Sequence, residues 1–143
     1  MSRANRLVVR FDGGSRGNPG PAAAAAVVEL PDGEVLKEVT KRLGEATNNV
    51  AEYHALLLGL ALARSLGAEE VEIVGDSQLV LRQLTGAYKV RNAGLAPLHR
   101  QALEALDGFK RWEVREVPRK ENRRADRLVN KALDGKASDA LSP

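Results

Sequence analysis

Two stretches of this chain end in the same way: Leu7-Val8-Val9-Arg10-Phe11 delivers Asp12, and Val71-Glu72-Ile73-Val74-Gly75 delivers Asp76. Apolar runs of this length read as strands buried on both faces, and Gly13-Gly14 read as a stop that clears side chains from around the first acid. In helix-covered sheets, ligand sites form outside the carboxyl ends of the strands, so two adjacent strands of this kind would hold both acids at one edge. Two more acids are candidates for the same place. Glu52 lies about 40° round a helical wheel from Leu56 and borders an apolar stripe. Asp126 falls within the first two turns of the last helical segment. Four converging carboxylates would repel and shift one another's pKa values, and such a cluster is sustained by cations. Without Cys, any metal must be held by oxygen or His, and oxygen ligation favours Mg2+ or Mn2+. Two such ions roughly 3.5–4 Å apart would activate a water and stabilise the leaving oxygen of a phosphodiester cleavage.

Each acid also has a plainer use. Asn49 and Glu52 have the spacing of a capping box, acids are favoured in a first helical turn, and Asp76 or Ser77 would serve as an N-cap. The elements decide between these uses. Residues 1–5 read as a frayed start, strand one follows to Asp12, and residues 13–21 are rich enough in turn formers to be a loop. That loop lacks the Lys-Ser/Thr ending of a nucleotide-binding P-loop and the spacing of a dinucleotide fingerprint. Segments 22–30 and 35–43 read as strands joined by Pro31-Asp32-Gly33-Glu34, whose Asp-Gly pair signals a hairpin, so strands one to three form an antiparallel meander. The alanine run 22–26 has weak strand propensity and predicts a strand packed closely under something.

Thr47-Asn48-Asn49 offer capping side chains for a helix over 50–66, with apolar residues at 53, 56, 57 and 60, ended by Gly67. This helix makes strand 71–76 a parallel crossover. A short helix through Leu84, a loop over 85–93, a helix over 95–106 and a strand over 110–117 follow. Residues 119–126 then open a final helix running to Leu133, and the small polar tail, 135–143, reads as disordered, leaving one domain over 1–134.

A chain of 143 residues with 43% hydrophobic and 29% charged residues is an ordinary globular domain with enough length for a core. No apolar run approaches a membrane span of roughly 20 residues, and the N-terminus lacks the apolar core of a signal peptide, so a cytoplasmic protein without membrane partners is expected. The net charge is +3, but residues 110–131 carry nine Lys or Arg against four acids. Such a region suits a polyanion, or is a solvated helix face laced with ion pairs. Aromatics make up only 3%, so stacking of bases on an aromatic platform is not the expected mode of binding.

The order of Asp12-Gly13-Gly14 with Gly17-Asn18-Pro19-Gly20, then Thr47-Asn48-Asn49 with Ala51-Glu52, then Asp76-Ser77-Gln78, then Glu121-Asn122 with Ala125-Asp126, resembles the ribonuclease HI family over nearly the whole chain. The resemblance implies an α/β ribonuclease H-like fold, with a mixed five-stranded sheet of order 3-2-1-4-5 flanked by helices. It implies two-metal, Mg2+-dependent endonucleolytic cleavage of the RNA strand of RNA/DNA hybrids by a monomer, leaving 5'-phosphate and 3'-hydroxyl ends. Asp12, Glu52, Asp76 and Asp126 carry over as metal ligands and catalytic residues. Gly13, Asn18, Thr47, Asn48, Asn49 and Gln78 carry over as substrate contacts, where amides and hydroxyls sense sugar and base edges without reading sequence strongly. Arg119 and Lys120 are expected to hold phosphates.

Two departures from the family pattern matter. Many members carry a His before the last acid, and Val117-Pro118-Arg119-Lys120-Glu121-Asn122 has none. His54 points about 200° away from Glu52 on its helix and His99 lies in another, so both are expected to be structural, and Lys120 is the residue that would stand in. The segment before Leu95 is also brief, where some relatives have a long basic handle. The rival readings are a non-catalytic hybrid-binding module and another nuclease of the same fold, such as a junction resolvase.

Overall fold

The computed structural model describes residues 5–135. Its elements are β1 (Arg6–Ser15), β2 (Gly20–Glu29), β3 (Val35–Ala46), α1 (Asn48–Ser65), β4 (Glu70–Gly75), α2 (Gln78–Leu84), α3 (Ala96–Asp107), β5 (Arg111–Glu116) and α4 (Arg123–Leu133). They form one mixed sheet in the order β3-β2-β1-β4-β5, as the family resemblance implied. β1–β2 and β2–β3 pair antiparallel, while β1–β4 and β4–β5 pair parallel. The expected frayed start, apart from Asn5, and the expected tail beyond Gly135 lie outside the described residues. Among those residues no helix is long and apolar enough to cross a membrane.

β1 does not stop at Asp12. It runs on to Ser15, with Gly13 opposite Ala24 and Gly14 opposite Ala23, so the loop shrinks to residues 16–19. The glycine at 13 marks a close approach instead of a stop: a Cβ there would lie 2.3 Å from the backbone carbonyl of Ala51 in α1. The alanine run is a strand because the sheet is covered on both faces. α1 lies so close on one side that a Cβ at Gly59 would sit 2.4 Å from Val9 and 3.2 Å from Ala26. On the other side Ala23 and Ala25 pack with Val129 and Ala132 of α4. Small side chains let two helices sit close to one sheet, and here that outweighs weak strand propensity.

α1 buries Tyr53, Leu56 and Leu60 of its predicted stripe and leaves Leu57 half-buried, and it also buries Ala51, Ala55, Gly59 and Ala63, since it is packed against the sheet and against α3. The core joins these to Leu7, Val9, Phe11, Ile73, Leu81 and Leu106. The expected final helix is broken. Arg119–Glu121 make a single 3₁₀ turn, and α4 starts only at Arg123. The break falls at Asn122, whose buried side chain turns inward and donates from Nδ2 to the Phe11 carbonyl at 2.8 Å.

Candidate active site

Parallel pairing of β1 with β4 runs from Arg6–Glu70 to Arg10–Val74 and goes no further. Asp12 and Asp76 each lie two residues beyond the last pair, at the place where the two strands part. α1 crosses this point, and Glu52 Oε1 accepts a 3.0 Å hydrogen bond from the Gly13 amide. Asp12, Glu52 and Asp76 thereby present carboxylate oxygens that all lie within 4.8 Å of one another. Asp126 stands at the rim of the same cleft of about 590 Å3. It forms an ion pair with Arg119 Nη2 at 3.5 Å, and its charge helps to raise Asp12.

The capping alternatives fail in this geometry. Thr47 is the N-cap of α1, its Oγ1 accepting from Val50 N at 3.2 Å, so Asn49 and Glu52 do not form a capping box. Glu52 lies past the first turn and reaches the sheet. Ser77 caps α2, accepting from Val80 N at 3.3 Å, which leaves the Asp76 carboxylate free of that duty.

The electrostatics are those of a site built for cations. Asp12 is only 7% exposed. Burial, then Asp76 and Asp126, push its carboxyl up to about 8. Burial and then Asp12 and Asp76 hold Glu52 well above its ordinary range, opposed by the Gly13 amide and Arg119. Burial also raises Asp76, against its own backbone amide, Arg119 and Asn122. Three acids held toward the neutral form by desolvation and mutual repulsion gain most from a divalent cation, and the donor set is all hard oxygen. These residues therefore fit a hard divalent metal.

Arg119 reaches the acids although it is 79% exposed, and its charge opposes the upward shift of Asp12, Glu52 and Asp76 alike. Lys120, the expected stand-in for the missing His, is exposed and does not line the cleft. The neighbouring residue does so because the 3₁₀ turn aims it across the acids. Arg124 is drawn off to Glu38.

The candidate substrate contacts divide by what their side chains already do. Asn18 Oδ1 accepts from the Asn48 amide at 2.9 Å, and Asn48 Oδ1 accepts from the Ser15 amide at 2.8 Å, so both tie the turn after β1 to the start of α1. Thr47 uses its hydroxyl as the cap. Gly13 and Asn48 line the cleft, and Asn49 and Gln78 are exposed in the first turns of α1 and α2. His54 lies on α1 away from the cleft, held below its ordinary pKa by burial and Lys41. His99 packs edge-on against Tyr53, with Nε2 3.1 Å from the Gln83 carbonyl. Sequence reasoning did not assign Ser15, Glu116 or Asn122 to the site. Ser15 and Glu116 line the cleft, and Asn122 anchors the turn beside it while leaving Oδ1 buried with no partner among the described residues.

Residues 10–132 match the family model described as reverse transcriptase-like. The chain is 47% identical over 132 residues to ribonuclease HI of Halobacterium salinarum, covering 92% of this chain and 66% of that protein. The crystal structure of RNase H1 from that archaeon superposes with a TM-score of 0.88, covering 90% of this chain and 98% of the other. The N-terminal RNase H domain of a Mycobacterium tuberculosis protein is 46% identical with a TM-score of 0.89, covering 95% and 99%. The full mycobacterial protein, described as bifunctional, is longer, and this chain spans 38% of it. LC11-RNase H1, solved in complex with an RNA/DNA hybrid, is 38% identical with a TM-score of 0.86, covering 95% and 99%. Sheet order, carboxylate cluster and these likenesses agree: the chain belongs to the ribonuclease HI family.

Proposed function

We propose that the protein is a metal-dependent endonuclease that hydrolyses the RNA strand of RNA/DNA hybrids, leaving 5'-phosphate and 3'-hydroxyl ends. The observation that carries this reading is the cluster of Asp12, Glu52 and Asp76 in the floor of an open cleft. With Asp126 they would hold two Mg2+ ions, or Mn2+ in their place. Such ions, when bound, activate water as a nucleophile and neutralise charge on the leaving oxygen. The chain's own groups supply the placement. The Gly13 amide fixes the Glu52 carboxylate, and Asn122 fixes the strand at Phe11 next to Asp12. Gly13, Asn18, Thr47, Asn48, Asn49 and Gln78 would follow the hybrid along the cleft, and the RNA strand is recognised where its 2'-OH meets these amides. We take the protein to act as a cytoplasmic monomer.

The direct test is a labelled RNA/DNA hybrid with Mg2+ and then Mn2+, against duplex DNA, duplex RNA and a four-way junction, with end-group analysis of the products. Tight hybrid binding without cleavage would identify a non-catalytic module. Preferential junction cleavage would identify a resolvase.

Arg119 supplies fixed positive charge beside the acids. Arg119→Ala is expected to lower turnover about a hundredfold, the low end of the range for lost electrostatic stabilisation, since the side chain is exposed. The sign of the pH effect in the metal-free protein follows from its opposition to the raised acids: without it they ionise at higher pH, so the fall of metal-free Tm with pH extends to higher pH. Full turnover in Arg119→Ala would remove Arg119 from the reaction.

Phosphate contacts are expected from Lys120 and Arg123, joined by Arg127 on the outer face of α4. All three are exposed, whereas Arg124 is paired with Glu38. Arg123→Ala with Arg127→Ala should raise KM and flatten the log-log salt dependence by about 0.9 unit per lost contact. Arg124→Ala should leave that slope as it is. Equal slopes in all variants would make this a solvated face.

A further inference from the structure

Besides Asp12, β1 carries a second largely covered charged side chain, Arg10. Arg10 precedes Asp12 by two residues, so it leaves the sheet on the same face, toward α4 and the 3₁₀ turn. Its neighbours on that face are Val8, Val74 and Val117, which form a small apolar cluster. Within it Arg10 Nε donates to Glu29 Oε2 at 3.0 Å, the two side chains being 22% and 12% exposed. The same guanidinium donates from Nη1 to the Glu121 carbonyl at 3.2 Å.

An ion pair in such surroundings is weak grounds for stability, because desolvation offsets most of the attraction. The geometry points elsewhere. Glu29 holds one edge of a rigid planar fork, and the fork's other edge is thereby aimed at the turn. The adjacent residue, Asn122, bonds the Phe11 carbonyl, so consecutive residues of the turn are fastened to consecutive residues of β1. That turn carries Arg119, which spans to Asp126.

We propose that Arg10 is a positioning residue: oriented by Glu29, it holds the 3₁₀ turn by the Glu121 carbonyl so that Arg119 stays over the carboxylates. This rests on the nuclease reading for its effect on turnover, but not for its effect on the turn. The ion pair and the fork are separable by substitution. Arg10→Lys keeps the charge beside Glu29, yet a single ammonium lacks the two-edged geometry that serves carboxylate and carbonyl together. The double variant R10M/E29M removes both charges and leaves no unpaired buried ion, so it folds even where R10M alone does not.

The experiment compares wild type, R10K and R10M/E29M by amide hydrogen exchange and by steady-state cleavage of a labelled hybrid with Mg2+. In both variants the Glu121 and Asn122 amides, bonded to Pro118 and Arg119 carbonyls, are expected to exchange at least about tenfold faster, while amides of α1 keep their protection. Turnover should fall about fivefold to twentyfold with KM within about twofold, the pattern of lost positioning. Arg119→Ala should cost far less in R10M/E29M than in wild type, since the two act as a unit. Wild-type exchange at Glu121 and Asn122 overturns the proposal, and so do full turnover in R10M/E29M or additive losses with Arg119→Ala. If wild type cleaves no hybrid, the nuclease reading falls and the exchange comparison alone still decides the role of Arg10.

Discussion

Asp12→Asn is expected to abolish hybrid cleavage, by at least about a thousandfold, and at the same time to make the metal-free protein more heat-stable above neutral pH. The two effects have one cause. Burial, Asp76 and Asp126 push the Asp12 carboxyl from 3.8 to about 8 in the folded protein. Between those values the folded chain keeps a proton that the unfolded chain has released. Metal-free stability therefore falls as pH rises through this window, on the order of 1.4 kcal/mol per pH unit for one proton. Below pH 4 both states are protonated and the dependence from this group ends. Glu52 and Asp76, also raised, act in the same direction. A divalent cation reverses the trend because it binds the charged acids, so its stabilising effect grows with pH. The measurement is Tm in EDTA and in Mg2+ from pH 5 to 9, for wild type and Asp12→Asn. In EDTA the wild-type Tm should drop by several degrees across this range, and the variant should lose much of that slope and all of the activity. Equal slopes, or residual cleavage near the wild-type level, would take Asp12 out of the centre of the cluster.

The sequence showed the acids more clearly than their surroundings. Asp12 and Asp76 were legible because each ends an apolar run, and that pattern needs only local periodicity. Glu52 was ambiguous, since a capping box and an inward carboxylate share one spacing; only tertiary packing, with Thr47 as the cap and Gly13 as the donor, separates them. The meander and the crossover followed from the Asp-Gly hairpin and the long helix. The ends of β1 and the break before α4 did not. Both are set by groups distant in the chain: Gly13 continues the strand because its ladder partner is Ala24, and Asn122 interrupts the helix because its side chain is drawn to Phe11. Arg119 and Lys120 were indistinguishable as neighbouring cations, and it took the 3₁₀ turn to aim one of them at the acids and the other at solvent.

The same dependence on packing makes Gly13 the most exacting position of the site. Gly13→Ala would put a methyl group 2.3 Å from the Ala51 carbonyl carbon and oxygen and 2.6 Å from the Glu52 amide nitrogen. Those are backbone atoms in the first two turns of α1, with no flexible side chain to swing aside. α1 would have to retreat by about 1 Å to reach an ordinary contact of 3.4 Å. That movement loosens Tyr53, Leu56 and Leu60 in the core, and overpacking of this sort costs about 1–3 kcal/mol or more. It also draws Glu52 away from the Gly13 amide and out of the group of oxygens it shares with Asp12 and Asp76. A misplacement of about 1 Å in such a constellation is worth about a hundredfold in rate. Gly14→Ala is the comparison, since its Cβ would meet Val129 at 3.8 Å and Asn48 at 4.0 Å, both ordinary contacts. Gly13→Ala is therefore expected to lower Tm by several degrees, to cut hybrid cleavage at least about a hundredfold and to weaken Mg2+ stabilisation at pH 8, with Gly14→Ala much milder in all three. Thermal melts with and without Mg2+, alongside cleavage assays of both variants, decide the matter. Equal effects at the two glycines, or a Gly13→Ala protein with full activity and Tm, would mean that the close seating of α1 on β1 does not place Glu52.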